Sequence, residues 1–366
     1  MKITIERENL LVALQAVANI VERRQTLPIL SNVLVAAEGE EISVTATDME
    51  VEAVARVPAK VARSGVSTIP GRKLLDICRS LPAQSSISIE EKDKKVRIQT
   101  GRSKFVLATL PAGEFPSVGV TAEDFSFEIE AGALLELISS TQFAMAHQDV
   151  RYYLNGLLIE VTGTSIKAVA TDGHRLALSE RPITLDLAEP RQLIIPRKGV
   201  SEIQRLASHS NELFSVIVSS NVLKVTTTTQ SLTVKLVDGK FPDYERVLPK
   251  GGNKVVLANR EIMKSALQRT SILSNEKFRG VRLNFNPKVL KTSAHNPEQE
   301  EAEEEIEIDY EGENLEIGFN VSYLLDVLSV LQTENIQMIL SDSNSSCLIQ
   351  RPDDSTGKYV VMPMRL

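Results

Sequence analysis

Three long stretches of this 366-residue chain are copies of one another, and no other feature limits its possible folds so strongly. Each copy opens with a strand-like run leading into an amphipathic helix: ITIERENLLVALQAVANIV from residue 3, FSFEIEAGALLELISSTQF from residue 125 and KVVLANREIMKSALQRTSIL from residue 254. In the first, Leu10, Leu11, Leu14, Val17, Ala18 and Val21 keep helical spacing and leave Gln15, Asn19, Glu22 and Arg23 on the other side. A second entry strand and helix recur as STIPGRKLLDICRSLP, QLIIPRKGVSEIQRLAS and LEIGFNVSYLLDVLSVLQ, each followed by alternating or β-branched strands. Related strands close the copies: FVLATLPAGEFPSV, LTVKLVDGKFPDYERVLP and YVVMPMRL.

Each copy exceeds one hundred residues, enough for its own core, so the fold class expected is α+β with three tandem domains over 1–122, 123–250 and 251–366. Phe-Pro segments and Gly251-Gly252 read as the connectors. Three equivalent domains in a row suggest an arc, and a head-to-tail dimer closes an arc.

Composition excludes several classes. Hydrophobic residues at 42% and charged residues at 24% are ordinary for a globular protein, and no run of apolar residues is long enough to span a membrane. A cytoplasmic protein is expected. The two cysteines, Cys78 and Cys347, have neither a CxxC partner nor a nearby His cluster, which argues against a disulfide framework or a zinc site and for small buried hydrophobes. No Walker A or GxGxxG sequence precedes a helix, and no cofactor or metal is expected.

A net charge of −7 counts against nucleic acid unless the charges are segregated. The second helices suggest that they are. Arg72, Asp76 and Arg79 lie opposite Leu74, Ile77, Cys78 and Leu81, and Lys198, Glu202 and Arg205 lie opposite Val200, Ile203 and Leu206. Arg23, Arg24, Lys264 and Arg269 add basic groups near the ends of the first helices. The third copy breaks the pattern, since Asn320, Ser322, Asp326 and Ser329 offer no positive charge. Solvated helices carry such charges anyway, but recurrence favours a phosphate-facing surface that reads no sequence.

Thr171-Asp172-Gly173-His174-Arg175 has the look of a metal or acid/base constellation. The first copy has Thr47-Asp48-Met49-Glu50 in its place, keeping Asp without His, which predicts a repeated turn and no catalytic centre. The acidic run from Glu298 to Glu305 reads as a solvated loop or, less readily, a cation site. Lys73, Arg102 and Lys104 at the far end of the chain are opposite in sign, and the alternation of Arg102 and Lys104 with Phe105 and Leu107 predicts an edge strand able to pair with another chain. The terminus from Tyr359 to Leu366 is too apolar for a fraying end, and one core-facing strand accounts for alternate residues only. Its methionines suit a groove for varied peptides.

AHQDVRYYLNG (146–156), ATDGHRLA (170–177), IPRKGV (195–200), KLVDGKFPDYERVLPK (235–250), ILSNEKFRGVRL (272–283), NPEQEEAEE (296–304) and VVMPMRL (360–366) together resemble the signatures of the bacterial sliding clamps, the DNA polymerase III beta subunit family, in the expected order. The resemblance covers nearly the whole chain and is weakest in 38–45, 84–96 and 208–231. It implies three DNA-clamp domains per chain and a dimer forming a six-domain ring, a non-catalytic processivity factor placed on DNA by an ATP-dependent loader.

It further implies a partner groove made by Leu154, Thr171, Gly173, His174, Arg175 and Leu176, by Pro242, Arg246 and Val247, and by Ser346, Val360, Val361, Met362, Pro363 and Met364. The implied ligand is a short extended motif with Gln and apolar anchors, carried by the polymerase III alpha subunit, the clamp-loader delta subunit, other DNA polymerases and mismatch-repair proteins. For duplex DNA and primer–template junctions the family positions are Arg24, Arg72, Gln148, Tyr152 and Tyr153, and charge adds Arg197 and Lys198. Two consecutive tyrosines in a strand cannot both point inward. For the homodimer, Lys73, Arg102, Lys104, Phe105 and Leu107 of one chain are expected to face Ile272, Leu273, Glu298, Glu300 and Glu304 of the other.

Overall fold

A computed structural model describes residues 1–21, 27–119 and 123–365. Six helices are present among them: α1 (Arg7–Val17), α2 (Gly71–Ser80), α3 (Ala131–Ser139), α4 (Arg197–Ser208), α5 (Arg260–Thr270) and α6 (Val321–Val330). They are the two helices expected of each copy. The opening strand Lys2–Glu6 shows why sequence and structure agree here: its alternation buries Ile3 and Ile5 and exposes Lys2, Thr4 and Glu6. Later starts are capped by side chains, with Asn259 accepting from the Ile262 N–H at 3.1 Å and Asn320 from the Ser322 N–H at 2.9 Å.

The three copies share small backbone details. The same main-chain bond recurs as Ala59 N–H to Glu40 O, Ile183 N–H to Thr164 O and Ile308 N–H to Lys288 O, at 2.9, 3.0 and 3.1 Å. The Thr-Asp turn recurs as well. Asp48 Oδ1 accepts from the N–H groups of Glu50 and Val51, and Asp172 Oδ1 from those of His174 and Arg175. The expected turn is thus an Asx turn in both copies.

Two compact units make up the chain, one of residues 1–131 with 201–236 and one of 132–200 with 237–366. They do not follow the copies, because strands pair across copy boundaries. In the first unit, Val51–Pro58 of the first copy pairs with Gln230–Lys235 of the second inside an eight-stranded antiparallel sheet. In the second unit, Arg175–Pro182 pairs with Asp354–Val361 of the third copy inside another eight-stranded sheet. Registers match at the two junctions, where Glu52 faces Thr233 and Leu176 faces Val360. A five-stranded sheet in the first unit ends at Ser103–Ala108, and a four-stranded sheet in the second ends at Glu301–Glu307.

Three expectations need correction. The acidic run is no loop over most of its length: Glu301–Glu307 is an edge strand, whose alternation exposes Glu301, Glu303 and Glu305 and turns Glu304 towards α5. Its charges therefore spread over two faces, and among the described residues no cluster of three or more His, Cys, Asp or Glu is placed to hold a metal ion. Glu202 is buried, not solvated; its carboxylate accepts from Arg205 Nε at 2.9 Å, and Arg205 also donates to the Ala16 carbonyl just before the end of α1. Lastly, Val360 and Val361 are both buried, since Asp354–Val361 lies inside its sheet and is covered on both faces. The alternating pattern expected of a one-sided strand does not apply there.

Gly251 and Gly252 lie in the irregular segment between the short helix Tyr244–Arg246 and the strand Lys254–Asn259, inside the second unit. Gly251 has φ +82°, and a Cβ on Gly252 would stand 2.5 Å from Ile339 Cγ2, so both positions suit glycine.

Candidate partner groove and nucleic-acid face

All the residues expected in the groove fall in the second unit. An apolar cluster joins three of them, Leu154, Leu176 and Val360, with Leu158, Val169, Ile194, Phe241, Tyr244 and Leu348. Tyr244 was not legible as a site residue. Its ring is buried and its hydroxyl donates to Glu160 Oε1 at 2.7 Å, and burial beside that carboxylate pushes the phenol pKa far up. It anchors the short helix Tyr244–Arg246, leaving Pro242, Arg246 and Val247 exposed above the cluster. Only its place inside the KFPDYERV run pointed to it.

The tail and the turn are joined through the main chain. The Met362 N–H donates to the His174 carbonyl at 2.9 Å, and the Met364 N–H to Gly318 O at 2.8 Å. Met362 is 44% exposed, while Pro363, Met364 and Ser346 are half-buried. Gly173 has φ +90°, which glycine adopts readily, and a Cβ there would stand 3.1 Å from the Arg151 guanidinium; the first copy holds Met49 in the matching place at φ +77°. Thr171 Oγ1 closes the turn by donating to Arg175 O at 2.6 Å. Val361 lies within the sheet and presents no surface. A cavity of about 780 Å³ lined by Asn259, Lys288, Asp309 and Arg351 involves none of the groove residues.

The expected DNA contacts divide by environment. Arg24 lies outside the described residues, as does Arg23. Arg72 and Lys73 are exposed on α2, where Arg72 also donates to Val21 O at 3.1 Å. Gln148, with φ +55°, and the fully projecting Val150 belong to a loop held by Asp149, which accepts from Arg151 Nε and Nη2. These bonds hold the Asp149 carboxyl down at about 2. Tyr152 and Tyr153 start a 3-10 helix and are in no strand; Tyr152 is 57% exposed and meets Tyr153 edge to face at 5.9 Å. The turn of a 3-10 helix, in place of strand alternation, puts one ring outward and one against the apolar cluster. Arg197 donates to the carbonyls of Met145 and Ala146 at 3.0 and 2.9 Å, and burial lowers its pKa, so part of its donor capacity is structural. Lys198 beside it is half-buried. Arg269 forms an ion pair with Glu304 within the chain.

Of the residues expected at the dimer contact, Lys104 is exposed and Phe105 and Leu107 are half-covered on the edge strand Ser103–Ala108, with Arg102 exposed in the turn before it. Ile272 is 74% exposed, and Leu273 is half-buried beside it. Glu298 and Glu300 are exposed in the turn leading to Glu301–Glu307.

The chain matches three family models in order: the DNA polymerase III beta subunit N-terminal domain over residues 1–119, its central domain over 128–243 and its C-terminal domain over 245–365. It is 53% identical to a beta sliding clamp of Pseudomonas putida, with all of both chains covered. A crystal structure of the Pseudomonas aeruginosa DNA polymerase III subunit beta superposes with a TM-score of 0.98 at 52% identity, again over both full chains. The sliding clamp of the same species bound to griselimycin superposes with a TM-score of 0.97. The chain belongs to the DNA polymerase III beta subunit family, the sliding clamps, whose part in replication is processivity and not catalysis.

Proposed function

We propose that two copies of this chain close head to tail into a ring around duplex DNA and hold DNA polymerases there through the groove of the second unit. One observation carries the ring: both internal junctions use the same strand pairing, and the two strands that would make it again are free edges. Carrying over the shared register sets Glu301 opposite Val106 and Glu303 opposite Lys104 on a second chain. Acidic and basic edges then meet, with Ile272 and Leu273 beside Phe105 and Leu107. A two-fold axis makes the contact twice, which pairs the Ser103–Ala108 and Glu301–Glu307 edges of both chains.

Inside such a ring, Arg72, Gln148, Tyr152, Tyr153, Arg197 and Lys198 would touch DNA weakly and without regard to sequence, which permits sliding. The groove suits an extended segment with Gln and apolar anchors, because exposed Met362 and Val247 adjoin an apolar cluster and Arg246 marks its rim. The polymerase III alpha subunit, other polymerases, mismatch-repair proteins and the delta subunit of the ATP-driven loader would present such segments. Tethering raises their effective concentration at the primer end. The protein would work in the cytoplasm, at the nucleoid.

Retention on nicked circular plasmid after loading, followed by a single restriction cut, tests the ring. Protein that stays on circles and leaves cut DNA supports topological linkage. Equal retention on both overturns it.

A further inference from the structure

Arg175 was expected as a groove residue, yet its guanidinium is spent inward. Nε donates to Asp172 Oδ2 at 3.0 Å, Nη2 to the Phe143 carbonyl at 2.7 Å and Nη1 to Asp326 on α6. The plane sits over the Phe143 and Tyr323 rings, 5.3 and 4.5 Å from their centroids, and the side chain is 11% exposed. A ligand in the groove therefore meets what Arg175 holds, not Arg175 itself. What it holds is a chain of bonds. Asp172 fixes the N–H groups of His174 and Arg175, and the His174 carbonyl fixes Met362.

The first copy gives an internal control. It closes the same Asx turn on Asp48 with Val51 where Arg175 would stand, so the turn itself needs no guanidinium. What the arginine adds is the connection to α6. That helix contributes both Asp326 and Tyr323 to the arginine's surroundings, from the copy that also supplies the tail.

We infer that Asp326, on α6 and outside the groove, is a positioning residue for partner-peptide recognition: through Arg175 it sets the Asp172 turn, and with it His174 and Met362, in the form that receives the peptide. The inference rests on the groove reading above. It also gives a task to the third copy's second helix, which carries no positive charge, since its one carboxylate faces the arginine of the neighbouring copy.

The probe is a fluorescein-labelled hexapeptide with one Gln and Leu and Phe anchors, titrated by anisotropy into wild-type, Asp326→Asn and Asp326→Glu full-length protein. Asp326→Asn is expected to weaken binding about tenfold, the scale of one charge-assisted hydrogen bond, and Asp326→Glu to stay within about twofold of wild type. Amide exchange at His174 and Arg175 should quicken in Asp326→Asn alone, with retention on circular DNA unchanged. Equal affinity of Asp326→Asn and wild type overturns the inference. So does a loss that Asp326→Glu shares, or one without faster exchange at 174 and 175. Wild-type protein that binds no such peptide overturns the groove reading and the inference with it.

Discussion

Met362 hangs from His174 by one main-chain hydrogen bond of 2.9 Å, just past the last paired residue of its strand, Val361. The bond places an exposed methionine two residues past the core valine Val360, and the two should respond differently to truncation. Met362→Ala is expected to weaken peptide binding about tenfold with little change in melting temperature. Val360→Ala empties core volume and should cost about 1 to 3 kcal/mol of stability. Anisotropy and urea denaturation on the same preparations separate the two effects.

At the free edges, Lys104→Glu should dissociate the dimer, and adding Glu303→Lys should restore much of it. The proposed register sets these two charges opposite each other. Ile272→Ala with Leu273→Ala should weaken the dimer by about 1 to 3 kcal/mol per side chain while leaving a folded chain, because Ile272 is largely exposed and Leu273 half-exposed in the protomer. Sedimentation velocity at low protein concentration reads both. A dimer undisturbed by Lys104→Glu would refute the register.

Arg205→Ala strands the Glu202 carboxylate inside the first unit and frees the Ala16 carbonyl. A loss of about 2 to 4 kcal/mol is expected. Arg205→Ala with Glu202→Gln should recover part of it in urea denaturation, since a neutral amide is cheaper to bury than a lone charge.

The Asp149 carboxyl titrates at about 2 in the folded chain against 3.8 for the free group. A folded pKa below the unfolded one means that the Asp149–Arg151 contact favours the fold above about pH 3.8 and loses that effect as pH falls towards 2. Carboxyl chemical shifts of Asp149 followed by NMR should show a midpoint near 2, and in Arg151→Ala the midpoint should rise towards 3.8.

Burial lifts the Cys347 thiol pKa well above its ordinary value and raises that of Cys78 as well. Native protein treated with iodoacetamide at pH 8 should therefore gain almost no mass, whereas denatured protein should gain two carbamidomethyl groups.

Periodicity and repetition revealed the six helices, the Asx turns and the edge strand Ser103–Ala108, because each depends on neighbours in sequence. The joining of sheets across copies was not legible: the pairing of Leu176 with Val360 spans half the chain and leaves no local pattern. Glu202 misled for the same reason. A charged residue at a solvent-facing helical position is read as solvated until a distant contact is known, here the bond from its partner Arg205 to the Ala16 carbonyl. Tyr152 and Tyr153 misled locally, since a short 3-10 turn carries no signal distinct from a strand.

Sheets that pass from one copy to the next also change what a protease would report. A cut at Gly251-Gly252 severs the covalent link between the second and third copies but leaves the Arg175–Pro182 and Asp354–Val361 pairing intact. The two fragments should stay together on a native gel and part only in denaturant. Sensitive bonds in this chain mark where the backbone is accessible, and they give no guide to pieces that fold alone.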